Sequence, residues 1–382
     1  MIAFYISGHG FGHASRDIEV LNALGRLAPG LPVNVRTAAP RWFFDLTLTR
    51  AIEWTPHETD VGVVQIDGLR LDEAATVARA RAFFASLEQE AARDAAWLQE
   101  IGATLVVGDI PPLAFAAAAR AGLPSIALGN FTWDWIYEAY RPWMGDGATF
   151  IEQVRQAYAG ADLALRLPMH GGFSMFRTVE DLPFIARRSM RAPAETRAAL
   201  GLPSAEPLVL LSFGGYGLTR IDLPRVSDLD GYTIVVTSDV TANRRADSAP
   251  DAADAARLNL PANVRLIDEA GLYAAGLRYE DVVAAVDVVM TKPGYGIIAE
   301  CAANDTAILY TSRGHFVEYD VLVREMPQWV RAGFISNEDL LAGRWQAALD
   351  GVMATPPAPE RPSVDGADRA AKRILAAMSC RT

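Results

Sequence analysis

Two histidines and an arginine share one glycine-rich stretch near the start of the chain, Ser7-Gly-His-Gly-Phe-Gly-His-Ala-Ser-Arg16. Imidazoles titrate near neutral pH, so a histidine here can take a proton from a bound hydroxyl. Gly10 and Gly12 let the backbone pass close to a ligand, and the helix N-terminus that follows favours negative charge. The bland alternative is a tight turn whose histidines only cap and pack. A second candidate lies near residue 290, in Asp287-Val-Val-Met-Thr-Lys-Pro-Gly-Tyr-Gly-Ile-Ile-Ala-Glu300. Lys292 and the backbone amides of Gly294, Tyr295 and Gly296 offer positive potential for a phosphate. Glu300, about one turn into the helix, can accept both hydroxyls of a ribose, or it is a surface glutamate that stabilises the helix start. A third stretch, Leu210-Leu-Ser-Phe-Gly-Gly-Tyr-Gly217, runs from a strand into a turn. The amides around Gly214 and Gly215 suit a diphosphate, although Gly-Gly after a strand is also an ordinary turn.

The elements around these stretches alternate. An apolar run, Ile2–Ile6, precedes the first turn, and Ile18, Leu21, Leu24 and Leu27 then follow a helical spacing. Further strands are expected at Val33–Thr37, Thr104–Val107, Ser125–Leu128 and Leu163–Leu167, with one long helix over Glu73–Ile101. Pro168–Pro193, with Gly171-Gly172 and the basic cluster Arg187, Arg188 and Arg191, reads as a linker. The pattern then restarts with strands at Leu208–Ser212, Thr233–Thr237, Val264–Ile267, Val288–Thr291 and Ala307–Tyr310. This succession predicts an α/β chain with two doubly wound parallel sheets facing a cleft, whose ligands sit beyond the strands' carboxyl ends. The expected division is 1–175 and 190–350. A proline-rich stretch then leads to a last helix, about Gly366–Met378, so 363–380 is expected to return to the first domain.

Composition sets outer limits. The chain has 382 residues, suited to two domains, and 51% of them are hydrophobic. Its net charge of −11 argues against a nucleic-acid partner. The two cysteines, Cys301 and Cys380, match no zinc or CxxC spacing and suit a reducing, cytoplasmic compartment. No apolar run is long enough to span a bilayer. Trp133-Asp134-Trp135, with Tyr137 and Tyr140, forms an aromatic cluster that could face a sugar or an apolar acceptor. Such clusters are more often core.

The motifs resemble those of glycosyltransferases with the two-domain GT-B fold. Gly8-His-Gly-Phe-Gly-His13 is similar to the N-terminal turn of the lipid II-forming peptidoglycan glycosyltransferases and of plant UDP-glycosyltransferases. Ser212-Phe-Gly-Gly215 resembles that superfamily's diphosphate loop, and Lys292-Pro-Gly-Tyr-Gly…Glu300 its nucleotide-sugar motif. A closer likeness, over most of the chain, is to the glycosyltransferase-like N-terminal half of L-arabinokinases. It includes Asn130-Phe-Thr-Trp-Asp-Trp-Ile-Tyr137 and Leu182-Pro-Phe-Ile-Ala-Arg-Arg188. No kinase half follows residue 360, so sugar phosphorylation is not expected.

The resemblance implies two Rossmann-like domains, an acceptor site on the first and a nucleotide-sugar site on the second, with no cofactor and no obligatory metal. His13 is the expected general base, held by a carboxylate, for which Asp109 is the candidate. Asp109 as a plain cap of the Pro111-Pro112 helix is the alternative. His9, Trp133 and Asp134 are assigned to the acceptor. Gly10, Gly12, Gly214, Gly215, Lys292, Gly294, Tyr295, Gly296 and Glu300 are assigned to the donor, with Glu318 and then Arg313 for the donor sugar. Two other functions stay open. Gly10-Phe-Gly-His13-Ala-Ser-Arg16 also resembles the turn of UDP-sugar hydrolases, which activate water, and a non-catalytic sugar-nucleotide-binding module is the third reading. The aromatic cluster and the His13 with Asp109 pairing favour transfer.

Overall fold

The computed structural model describes residues 1–145, 147, 149–213, 223–238 and 260–379. The chain divides into two compact units. One comprises 1–65, 71–186 and 363–382; the other comprises 66–70 and 187–362.

The first unit holds a seven-stranded parallel sheet: β1 (Ile2–Ile6), β2 (Val33–Thr37), β3 (Glu53–Pro56), β4 (Leu105–Asp109), β5 (Ser125–Phe131), β6 (Leu163–Gly171) and β7 (Val179–Asp181). Their order is β3-β2-β1-β4-β5-β6-β7. β1 and β4 are buried at every position, which is why β1 reads as an unbroken apolar run and β4 departs from one only at its end, Gly108-Asp109. Phe4, Ile6, Leu21, Leu24, Val107 and Leu128 belong to one core shared by the sheet and the helix Gly12–Leu27. The last helix, Gly366–Ser379, packs on Gly12–Leu27 and adds Ala370, Ala371 and Ile374 to the same core.

The second unit repeats the plan with six strands: β8 (Leu208–Ser212), β9 (Thr233–Ser238), β10 (Val264–Asp268), β11 (Val288–Thr291), β12 (Ala307–Tyr310) and β13 (Ala332–Phe334). The order is β10-β9-β8-β11-β12-β13, again all parallel. Val209, Leu211, Ile234, Met290, Leu309 and Trp345 lie in its core.

Two sequence expectations need correction. The long helix breaks into Glu73–Phe84 and Leu87–Glu100. At the break Ser86 Oγ donates to Phe83 O at 2.9 Å, a local bond that competes with the helical ladder. Pro168–Pro193 is not simply a linker. β6 runs on to Gly171, and Val179–Asp181 pairs with it as the sheet's edge, Ala164 against Val179. Three residues are too few for an alternation to show in sequence. The same applies to the short edge strands β3 and β13.

Candidate active site

In each unit the strand order reverses between two adjacent strands, and side chains beyond their carboxyl ends converge there. In the first unit those strands are β1 and β4. Ile6 and Asp109 are register partners, and Ser7 N–H donates to Asp109 O at 2.9 Å. The chain then turns through Gly10, whose φ of +76° suits glycine, and enters the helix Gly12–Leu27. That return carries His13 and Arg16 back over Asp109.

His13 Nδ1 lies 2.8 Å from Asp109 Oδ1. Both groups are buried, Asp109 completely. Arg16 Nη2, which can only donate, also lies 3.0 Å from Nδ1, but the shorter contact is to an ionised carboxylate that cannot donate, so we assign the proton to Nδ1 and the lone pair to Nε2. Arg16 clamps the same carboxylate, with Nε donating to Oδ2 at 2.7 Å and Nη2 to Oδ1 at 2.6 Å. Its Nη1 donates to Asn130 Oδ1, and Asn130 Nδ2 is anchored on Pro168 O at 2.7 Å. Burial would raise the Asp109 pKa, but the charges and hydrogen bonds of Arg16 and His13 outweigh it and hold it at about 2. Asp109 is not the cap of the following helix. Pro111 occupies that position, and the helix has no side-chain cap bond.

A second buried carboxyl was not singled out in the sequence. Asp60 Oδ1 accepts from Ser7 Oγ at 2.9 Å, and its Oδ2 accepts from Trp133 Nε1 at 2.9 Å. Burial pushes its pKa up to about 6, with the His13 charge and both hydrogen bonds opposing. The signal available was an aspartate at the head of an otherwise apolar stretch, Asp60-Val-Gly-Val-Val64. The same loop holds His9. A Cβ on Gly62 would lie 2.1 Å from His9 Cγ, and Gln65 Nε2 is 3.4 Å from His9 Nε2. His9 is therefore wedged against the loop and packs edge-on to Trp133. Trp133 is only 1% exposed and stacks on Tyr137 with ring centroids 5.5 Å apart. Asp134 is also buried, 3.5 Å from Arg155 Nε. Trp133, Tyr137 and Tyr140 are thus buried packing and not an open face for an acceptor, while Trp135 is half-buried.

In the second unit the corresponding strands are β8 and β11, with Ser212 opposite Thr291. Thr291 Oγ1 donates to Ser212 O at 2.5 Å and joins the two loops. Gly214 and Gly215 lie outside the described residues. Gly294 is the N-cap of the helix Tyr295–Asn304, which opens on Tyr295 and Gly296. Lys292 is half-buried. Its pKa falls to about 7 through burial and the Arg313 charge, while Asp67 pulls the other way. The Arg313 guanidinium sits 3.7 Å over the Phe316 ring, and Glu318 is the first residue of the helix Glu318–Glu325.

Glu300 is buried rather than on the surface, and it is paired. Arg187 Nε donates to Glu300 Oε1 at 2.6 Å, and Nη2 donates to the same oxygen. Asn304, one turn further along, fixes the Arg187 backbone by donating to its carbonyl at 3.1 Å. Glu280 Oε2 is 3.8 Å from Arg187 Nη1. Burial opposes the Arg187 charge, but Glu300 and Glu280 outweigh it and raise its pKa. The Glu300 pKa is raised by burial, with Arg187 only partly offsetting it. In the sequence Arg187 stands in a basic cluster and in the Leu182–Arg188 stretch, with nothing local to link it to Glu300.

No family model matches the chain. The chain is 30% identical over 374 residues to L-arabinokinase of Arabidopsis thaliana, an alignment covering 94% of this chain and 32% of that protein. It is 31% identical over 163 residues to the UDP-N-acetylglucosamine--N-acetylmuramyl-(pentapeptide) pyrophosphoryl-undecaprenol N-acetylglucosamine transferase of Paenarthrobacter aurescens (strain TC1), covering 41% of this chain and 38% of that protein. The chain thus spans between 32% and 38% of these curated relatives. Among solved structures, the glycosyltransferase SnogD from Streptomyces nogalater superposes with a TM-score of 0.57 at 16% identity, covering 99% of both chains. The glycosyltransferase VinC in complex with DTDP gives 0.55 at 16% identity, covering 99% of this chain and 95% of that one. Among the described residues, no helix is long and apolar enough to cross a membrane.

Proposed function

We propose that this chain, whose fold is the GT-B fold of two Rossmann-like domains, is a glycosyltransferase that moves a sugar from a nucleotide-diphosphate donor to a hydroxyl acceptor. The observation that carries the reading is the His13 and Asp109 pair, 2.8 Å apart and clamped by Arg16. An imidazole with Nδ1 held by an ionised carboxylate has its tautomer fixed and its lone pair on Nε2. Such a group takes the acceptor hydroxyl's proton as the oxygen attacks the anomeric carbon. The bond to the leaving phosphate oxygen breaks, and the nucleotide diphosphate departs with its electron pair. Asp109 then stabilises the imidazolium and stays ionised.

For the donor, we assign Lys292 and the helix start at Gly294 and Tyr295 to the phosphates and Glu300 to the ribose. Arg313 and Glu318 are assigned to the donor sugar. A relative named for transfer from a UDP-sugar and a structural neighbour carrying DTDP support a nucleotide-diphosphate donor. The donor sugar and base, and the acceptor, are to be found by assay. Purified protein is incubated with a panel of nucleotide sugars, with and without hydroxyl acceptors, and nucleotide release is followed. Release that depends on an acceptor, with a glycosylated product, is the expected result. Release at the same rate without acceptor would mean hydrolysis. Thermal stabilisation by nucleotide without any release would mean a binding module.

A further inference from the structure

We propose that Asp17 is a neutral carboxylic acid that donates its proton to the Asp109 carboxylate, a positioning residue that adds a donor to those Asp109 already has from Arg16 and His13. Asp17 lies on the helix Gly12–Leu27, four residues after His13, so the two side chains share its inner face. The residue is 0% exposed, and neither carboxylate oxygen has a hydrogen-bond donor. The charged groups facing it are Asp109 at the end of β4 and Arg16 on its own helix. Arg16 donates to Asp109 and Asn130, and its Nη2 also lies 3.0 Å from His13 Nδ1.

Two ionised carboxylates buried side by side repel each other, whereas one proton between them makes a hydrogen bond. Asp109 is the one that stays ionised, because Arg16 and His13 already donate to both its oxygens. The proton therefore resides on Asp17. Burial, with the Asp109 charge adding and Arg16 opposing, holds the Asp17 pKa well above the carboxylate range. The extra donor withdraws charge from Asp109, so a proton taken up at His13 Nε2 leaves the imidazolium intact instead of passing from Nδ1 to the carboxylate. That consequence rests on His13 being the base; the protonation of Asp17 does not.

Two measurements test the protonation without any activity assay. In wild-type protein with ¹³C-carboxyl-labelled aspartate, one carboxyl resonance should still be protonated at about pH 7, after Asp60 has mostly ionised. Aspartates that are all ionised at that pH overturn the proposal, even if no variant folds. Unfolded Asp17 releases its proton near pH 4, so above that value the folded wild type loses stability as pH rises, while Asp17→Asn does not. The melting temperature of Asp17→Asn relative to wild type should therefore climb by about 2–4 °C per pH unit in this window. A constant difference overturns it. The positioning role is tested by Asp17→Val, which removes the donor and makes Asp109 the better partner of an imidazolium. The acid limb of its kcat/KM profile should move to higher pH. A uniform loss of rate with an unmoved profile would reduce Asp17 to packing.

Discussion

Each unit buries an arginine–carboxylate pair beside the point where its strand order reverses, yet the two carboxyl groups are shifted in opposite directions. In the first, Arg16 reaches both oxygens of Asp109 and His13 adds a further bond, so the carboxyl is held at about 2. In the second, burial raises the Glu300 pKa and Arg187 offsets it only in part: both its bonds fall on one oxygen of Glu300, and the same guanidinium also faces Glu280. An arginine neighbour does not by itself decide a buried carboxylate's charge. What decides it is how many donors reach how many oxygens, and whether a second acid shares the cation. Asp109 is arranged to remain an anion next to an imidazolium. Glu300 is shifted toward its neutral form, chiefly by burial.

The largest effect should come from the partner of the saturated pair. His13→Ala should cut turnover by roughly 10² to 10⁴-fold while nucleotide affinity, measured by calorimetry, stays close to wild type. Near-full turnover would move the base elsewhere, with His9 the next suspect.

Asp109→Asn should reproduce part of that loss and also cost about 3 kcal/mol in denaturant unfolding, because Arg16 loses its buried counter-charge. Asp109 has a depressed pKa, so its stabilisation is present above about pH 4 and is lost as pH falls toward 2. The variant should lack that acid-dependent loss. A variant as stable as wild type at neutral pH would mean that Arg16 is satisfied without the carboxylate.

On the shared-cation side, Glu300→Gln should weaken nucleotide-sugar binding by roughly 1–3 kcal/mol if a charge-assisted bond to ribose is lost. Arg187→Met sharpens the contrast. It should leave Glu300 and Glu280 without the cation, raise the Glu300 pKa further and make folded stability fall as pH rises through it. Unchanged nucleotide affinity in Glu300→Gln would remove Glu300 from the site.

The smallest effect concerns Lys292. With a pKa near 7, it is charged below neutrality and loses its proton above. Donor affinity should fall several-fold from about pH 6 to pH 8, within the tenfold that one pKa unit allows. Lys292→Met should flatten that dependence.

Local chemistry alone made much of this protein legible. The apolar run of β1, the glycine turn and the helical spacing of Ile18, Leu21 and Leu24 lie within a few residues of one another, so the unit that presents His13 could be read directly. The same holds for β11, the Pro-Gly turn and the helix carrying Glu300. Alternation of strands and helices indicated two α/β units because each element's period is a property of its own residues. Only the tertiary structure could decide which side chains meet. Arg16 reaches Asp109 and Asn130, 93 and 114 residues away, because β1, β4 and β5 are neighbours in the sheet. Asp60 meets Ser7 and Trp133 only once its loop folds over the end of β1. The capture of Glu300 by Arg187, across 113 residues, likewise turned a carboxylate that local sequence left unpaired into half of an ion pair. Strand order and loop closure are set by the burial of whole sheets, and no local window of sequence contains them.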